Sequence, residues 1–226
     1  MSKKIQDQEE VVVAEAVSKT EKFFEENGKK VIVAIVALLL LVAGGYAYKY
    51  LVMDKNEVAA AELIVAAQEN FAGETPNYDL ALNGDETGAG FLAVVDQYGS
   101  TKAGNLAKHY AGICYLHLGD LEKAAEYLAK YKAVRGLAAE VVNAQNLGLQ
   151  GDVAVEQGDY AKAAKFFKKA VAASENNYTT PLYLYKQGLA LTAVGEAEAA
   201  KACYKAISEQ YPNSAEARDA EKMLGL

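Results

Sequence analysis

Few side chains in this sequence could do chemistry, and their spacing limits what kind. The histidines are His109 and His117. They stand eight apart, about 80° around a helix, close enough to share one groove. Zinc would need further Cys, His or carboxylate donors at ligand spacing; the neighbouring positions on that helix offer none. Both histidines are therefore expected to line a groove or interface, and no metal or other cofactor is expected. Cys114 and Cys203 lie far apart, each on an apolar helical face, where cysteine acts as a small buried hydrophobe, so they form no disulfide framework. Asp152 and Glu156 are four apart, on one helix face. Acid/base work would also need a pocket, and exposed pairs of this spacing are ordinary. Gly84 to Gly90 is a glycine-bearing loop with no lysine and no phosphate signature, and the chain has no GxSxG, HExxH or P-loop pattern. It does not read as an enzyme.

The elements that carry these residues form a repeat. Gly112 to Leu128, Gly151 to Phe167 and Gly188 to Tyr204 align without a gap, at periods of 39 and then 37 residues. In each copy a mid-helix glycine (Gly112, Gly151, Gly188) marks close approach of a partner helix. A second glycine (Gly119, Gly158, Gly195) ends that helix in the left-handed conformation. Asp120 and Asp159 follow as N-caps. Ala124, Ala163 and Ala200 then pair with Leu128, Phe167 and Tyr204 one turn on. The unit is a helix-turn-helix hairpin that stacks on its neighbours. The extra residues of the period, around Leu137 to Val142 and Asn176 to Thr180, are expected between repeats, with Thr180-Pro181 opening a helix by cap and N1 proline.

These residues resemble the tetratricopeptide repeat over about residues 104–214, with Tyr115, Tyr160, Ala170 and Pro212 also on consensus positions. A degenerate copy precedes the three clear ones. Phe91, Val94 and Tyr98-Gly99-Ser100 match Tyr204, Ile207 and Tyr211-Pro212-Asn213. Its first helix is expected over Lys55 to Phe71, with a long loop from Gly73 to Gly90 between. Ser214 to Leu224 would close the array as a polar cap. The expected fold is all-α, a tetratricopeptide-like α-α solenoid behind one transmembrane helix.

That helix is residues 31–53. No charge occurs from Val31 through Tyr48, and Lys49 is the sole one before Asp54. About 20 such residues match a bilayer core. Lys29 and Lys30 abut its N-terminal side, with Lys19 and Lys22 upstream, so the N-terminus is expected inside and the C-terminal domain outside. Tyr46, Tyr48 and Tyr50 suit the outer interface. A cleaved signal peptide is the competing reading, but the leader of about 30 residues is long for one and the apolar run continues past Gly44-Gly45. Ala43, Gly44, Gly45 and Ala47 form a small-residue cluster that leaves homo-oligomerisation open. The leader, 1–30, reads as a solvated tail or short amphipathic helix, with Ser18-Lys19-Thr20-Glu21 in capping-box form. The layout is leader 1–30, span 31–53, linker helix, loop and degenerate repeat 54–103, and repeats with their cap 104–226. Residues 54–226 hold 16 Lys and Arg against 23 Asp and Glu, carrying the whole formal charge of −7. Nucleic acid, which needs basic patches, is excluded on that ground.

One anchor, a short leader and an outer repeat domain resemble the YfgM-like family of bacterial inner-membrane proteins. The resemblance rests on the span, Ala59-Ala60-Ala61-Glu62, the Phe91 to Gly119 block and Tyr211-Pro212-Asn213-Ser214. It implies a single-pass inner-membrane protein with a periplasmic domain, ancillary to the Sec translocon. Its partners would be translocon subunits, exported chains or a periplasmic chaperone. The alternative is a structural scaffold for an envelope assembly. Function then falls to the face lined by the first helices, with Leu106, His109, Ile113 and His117, then Gln145, Asp152 and Glu156, then Leu182, Tyr185 and Leu189. This mix suits a peptide of some basic character.

Overall fold

The computed structural model describes the backbone of residues 2–225 and the side chains of residues 21, 23, 25–137 and 139–225. Its regular elements are helices, with one isolated antiparallel bridge between Gly84 and Ala89. The chain divides into two compact units, one through Lys55 and one from Asn56.

The first unit is α1 (Ser2–Tyr48) followed by a π-helical turn at Lys49–Met53. The short capped leader helix is not what forms: Ser18 lies inside α1. Residues 2–27 contain neither Gly nor Pro and are rich in Glu and Lys, so nothing stops the helix from extending N-terminally. Beyond Val31 the apolar side chains of α1 are exposed, and Tyr46 stacks on Tyr50 at 6.0 Å. Among the described residues one helix is long and apolar enough to cross a membrane.

The second unit starts with α2 (Asp54–Ala72), α3 (Tyr78–Asn83) and α4 (Phe91–Tyr98). Three hairpins follow, α5 (Lys102–His117) with α6 (Leu121–Lys130), α7 (Leu137–Glu156) with α8 (Tyr160–Ala173), and α9 (Thr179–Ala193) with α10 (Ala197–Gln210). The last element is α11 (Ala217–Leu224). Each hairpin turns at a glycine in the left-handed region, Gly119 (φ 81°), Gly158 (φ 75°) and Gly195 (φ 80°). The Asp120 and Asp159 carboxylates accept from the Lys123 and Lys162 backbone N–H at 3.0 Å. Glu196 makes no such cap. The mid-helix glycines each receive the large residue sixteen positions on. A Cβ would stand 2.6 Å from Leu128 at Gly112, 2.5 Å from Phe167 at Gly151 and 2.5 Å from Tyr204 at Gly188. Stacking buries two cores, one around Phe91, Val94, Cys114 and Leu128, the other around Phe167, Tyr183, Tyr204 and Ile207. Each fully buried Phe, Val, Leu or Ile among them contributes about 1.5–3 kcal/mol by burial.

Three expectations are corrected. The Gly73 to Gly90 segment is not all loop. It holds α3, whose Ala81 and Leu82 are buried and whose start is capped by Asn77, accepting from Leu80 N–H at 3.0 Å. Residues 137–142 do not lie between repeats but form the first turns of α7. Helix α9 opens at Thr179, ahead of Thr180-Pro181. Asn176 supplies the cap, its Oδ1 accepting from Tyr178 and Thr179 N–H at 2.9 and 2.8 Å.

Candidate functional site: a cleft across the first helices

Helices α5, α7 and α9 pack side by side, and an open cleft of about 720 Å³ runs across them. Leu116, Leu121 and Val155 give it apolar walls; His117, Asp152, Glu156 and Lys186 give it charge and hydrogen-bonding groups. The Lys186 ammonium donates to both Asp152 carboxylate oxygens, at 2.7 and 2.8 Å. Both side chains are about a third exposed, so the pair orients more than it stabilises. Lys186 also lies over the Phe167 ring, 5.8 Å from its centroid. Glu156 is exposed and has no ion-pair partner among the described residues, so it is the uncompensated charge of the cleft. His117 is exposed at the α5 end, where its imidazole stacks on Tyr78 of α3 at 4.0 Å with ring planes 1° apart.

The structure gathers His117, Asp152 and Glu156 of the expected groove residues around this cleft. Leu106, Ile113, Leu182 and Tyr185 are half-buried elsewhere on the same helices, and Gln145 and Leu189 are exposed but do not line it. Tyr185 packs against the second core with its ring 5.8 Å from that of Tyr204. His109 is corrected outright: at 3% exposure it is a core residue. Asn146 of α7 and Tyr131, held by Asn143, cover it. Asn146 donates from Nδ2 to His109 Nδ1 at 3.2 Å, and its own Oδ1 is held by Gln150 Nε2 at 2.8 Å. Asn143 accepts from the Tyr131 hydroxyl at 2.9 Å, and the Tyr131 ring covers the imidazole at 5.7 Å. Burial pushes the His109 pKa down to about 4, so the ring is neutral, with its proton on Nε2. The cysteines are buried as the apolar faces implied. Burial pushes the Cys114 thiol up to about 12 and raises that of Cys203.

Sequence reasoning missed Lys186 and Tyr78. Lys186 stands two before Gly188, where the other copies have Tyr110 and Leu149, so the repeat gives no signal for a charge there. Its ammonium over the Phe167 ring is a cation–π contact. Tyr78 lay in a segment read as loop.

Models of the tetratricopeptide repeat match residues 154–224 and residues 107–134. The first match takes in the end of α7 through α11, the second most of α5 and all of α6. The chain thus carries tetratricopeptide repeats in an all-helical solenoid, the architecture of a protein–protein interaction module, and neither matching model is that of a catalytic family. No curated protein matches the sequence.

Proposed function

We propose that this chain is a single-pass protein of the bacterial inner membrane whose repeat unit faces the periplasm. There it acts as a chaperone-like subunit ancillary to protein translocation. The cleft carries the reading: apolar walls, one imidazole, a fixed ion pair and one free carboxylate suit an extended segment with apolar and basic side chains. The span supports it as well. Anchoring holds such a cleft near the site where chains emerge and raises its effective concentration there. Resemblance to the YfgM-like family points to translocon subunits, exported chains or a periplasmic chaperone as partners.

Crosslinking the full-length protein in its native membrane, from photoreactive groups at His117 and Glu156, tests this. Translocon subunits and many exported chains among the products support it. One stoichiometric envelope partner with no translocon contact makes the protein a scaffold and overturns it. Asp152→Lys puts a second cation beside Lys186, and affinity for a basic client peptide should fall about tenfold. Unchanged affinity in both Asp152→Lys and Glu156→Lys, two residues that line it, removes the cleft from the mechanism.

A further inference from the structure

A second groove, sharing no residue with the cleft, lies between α8 and α10 with α9 as its floor, and holds about 560 Å³. Leu184, Leu191 and Val194 form the apolar floor. Ala161 and Ala164 on one wall and Ala199 and Ala202 on the other keep it wide. Its α8 wall runs from Ala161 to Val171, about 15 Å of helix.

The charge along that wall departs from the rest of the unit. Helix α8 carries Lys162, Lys165, Lys168 and Lys169 and no acid, in a chain of net charge −7. All four lysines are exposed and none has a carboxylate partner among the described residues; Lys169 lies over the Phe166 ring at 5.3 Å. The equivalent helices balance their lysines locally. Lys123 pairs with Asp120 and Lys130 with Glu126 at α6; Lys201 pairs with Glu198 and Lys205 with Glu209 on α10. Like charges one turn apart cost a few tenths of a kcal/mol each, so α8 carries a local destabilisation that its neighbours avoid. Lys165 and Lys168 stand at the edge of the groove itself, on the α8 wall, and the one acid of its lining, Glu196, lies just ahead of α10.

We propose that this groove docks a short acidic amphipathic helix of a partner protein. Its apolar stripe would lie on Leu184, Leu191 and Val194, and its Asp and Glu residues would face Lys165 and Lys168. A helix fits because a groove about 15 Å long between two helices takes about three helical turns. The alanine walls permit axes about 8–10 Å apart. This surface is independent of the cleft, which takes basic segments.

Full-length protein in phosphatidylcholine nanodiscs is titrated against a fluorescein-labelled helical peptide of about 12 residues. The peptide has leucines at i, i+3, i+4 and i+7 and glutamates along one flank, and a control has lysines in their place. Anisotropy should saturate with the acidic peptide and be at least tenfold weaker for the control. Lys165→Glu/Lys168→Glu, both at exposed positions, should reverse the preference. Ala199→Trp should fill the groove and weaken both peptides, while Asp152→Lys leaves the acidic peptide unaffected. Equal binding of the two peptides, or acidic-peptide binding unmoved by the lysine reversal, overturns the proposal. So does capture of phosphatidylglycerol vesicles without any peptide affinity, which would make the lysines a lipid contact. Loss of acidic-peptide binding in Asp152→Lys would assign it to the cleft instead.

Discussion

Replacing His109 by glutamine should remove a specific part of the protein's acid sensitivity. In the folded chain the imidazole is 3% exposed, accepts a hydrogen bond from Asn146 and titrates near 4, with burial as the cause. The rings beside it are those of Tyr110 and Tyr131. Unfolded, it titrates near 6.5. Between those values the unfolded chain binds more protons, so stability is fully present above pH 6.5 and is lost as pH falls toward 4. A displacement of about 2.5 units corresponds to about 3 kcal/mol. Protonation would also set an Nδ1–H against the Asn146 amide donor, which Gln150 holds in place. Glutamine retains an acceptor for Asn146 and does not titrate. Urea unfolding of both proteins at steps between pH 7.5 and 4, followed by circular dichroism, gives the difference directly, since the carboxylates contribute equally to each. The wild type should lose about 3 kcal/mol more than His109→Gln across the window. Parallel curves, or a His109 Cε1–H resonance that titrates near 6.5 in the native protein, would refute the burial argument.

Gly151→Ala gains about 1 kcal/mol of helix propensity but sets a Cβ 2.5 Å from the Phe167 ring. Overpacking of this kind costs about 1–3 kcal/mol, so the variant should melt lower, and Phe167→Leu in the same chain should recover part of the loss. A higher Tm for Gly151→Ala alone would show that the ring moves aside freely. Cys114 and Cys203, buried and with raised thiol pKa values, should resist iodoacetamide at pH 8 in the native protein and both react in urea, read by intact mass. Rapid native alkylation of Cys114 would mean that the first hairpin opens locally.

The hairpins were legible because their determinants are local. A glycine that ends a helix and an aspartate that caps the next stand side by side, and the close-approach glycine is always sixteen residues before its large partner. Three copies in phase expose that spacing. The contacts that shape the cleft are not local in this sense. Asp152 and Lys186 are 34 apart, which is not the period, and their positions in other copies are Ile113 and Leu189, Tyr110 and Leu149. No alignment of the repeats with one another predicts a pair that occurs once. His109 fails for a related reason. Helical phase sets which way it points along α5, but phase carries no information about Asn146 meeting the imidazole or Tyr131 covering it. Helix α3 was hidden by composition, since Gly, Asn and Asp at its ends serve as Asn77 cap and Gly84–Ala89 bridge around a single buried turn.

The departures from the repeat are informative because the repeat itself explains so little of the surface. Small-to-large packing and the glycine turn occupy fixed positions of each of the three hairpins, and any outward residue compatible with a helix would satisfy them. A stacking requirement alone gives no reason for a lysine where the other copies have tyrosine and leucine, nor for four unbalanced lysines on α8 between two helices that balance theirs. Both departures fall on the second and third hairpins, one on each face of α9. The first hairpin instead presents His117 to Tyr78 of its own chain. Their place on the two faces of α9 coincides with the two surfaces proposed above, one carrying the free carboxylate of Glu156 and the other edged by Lys165 and Lys168.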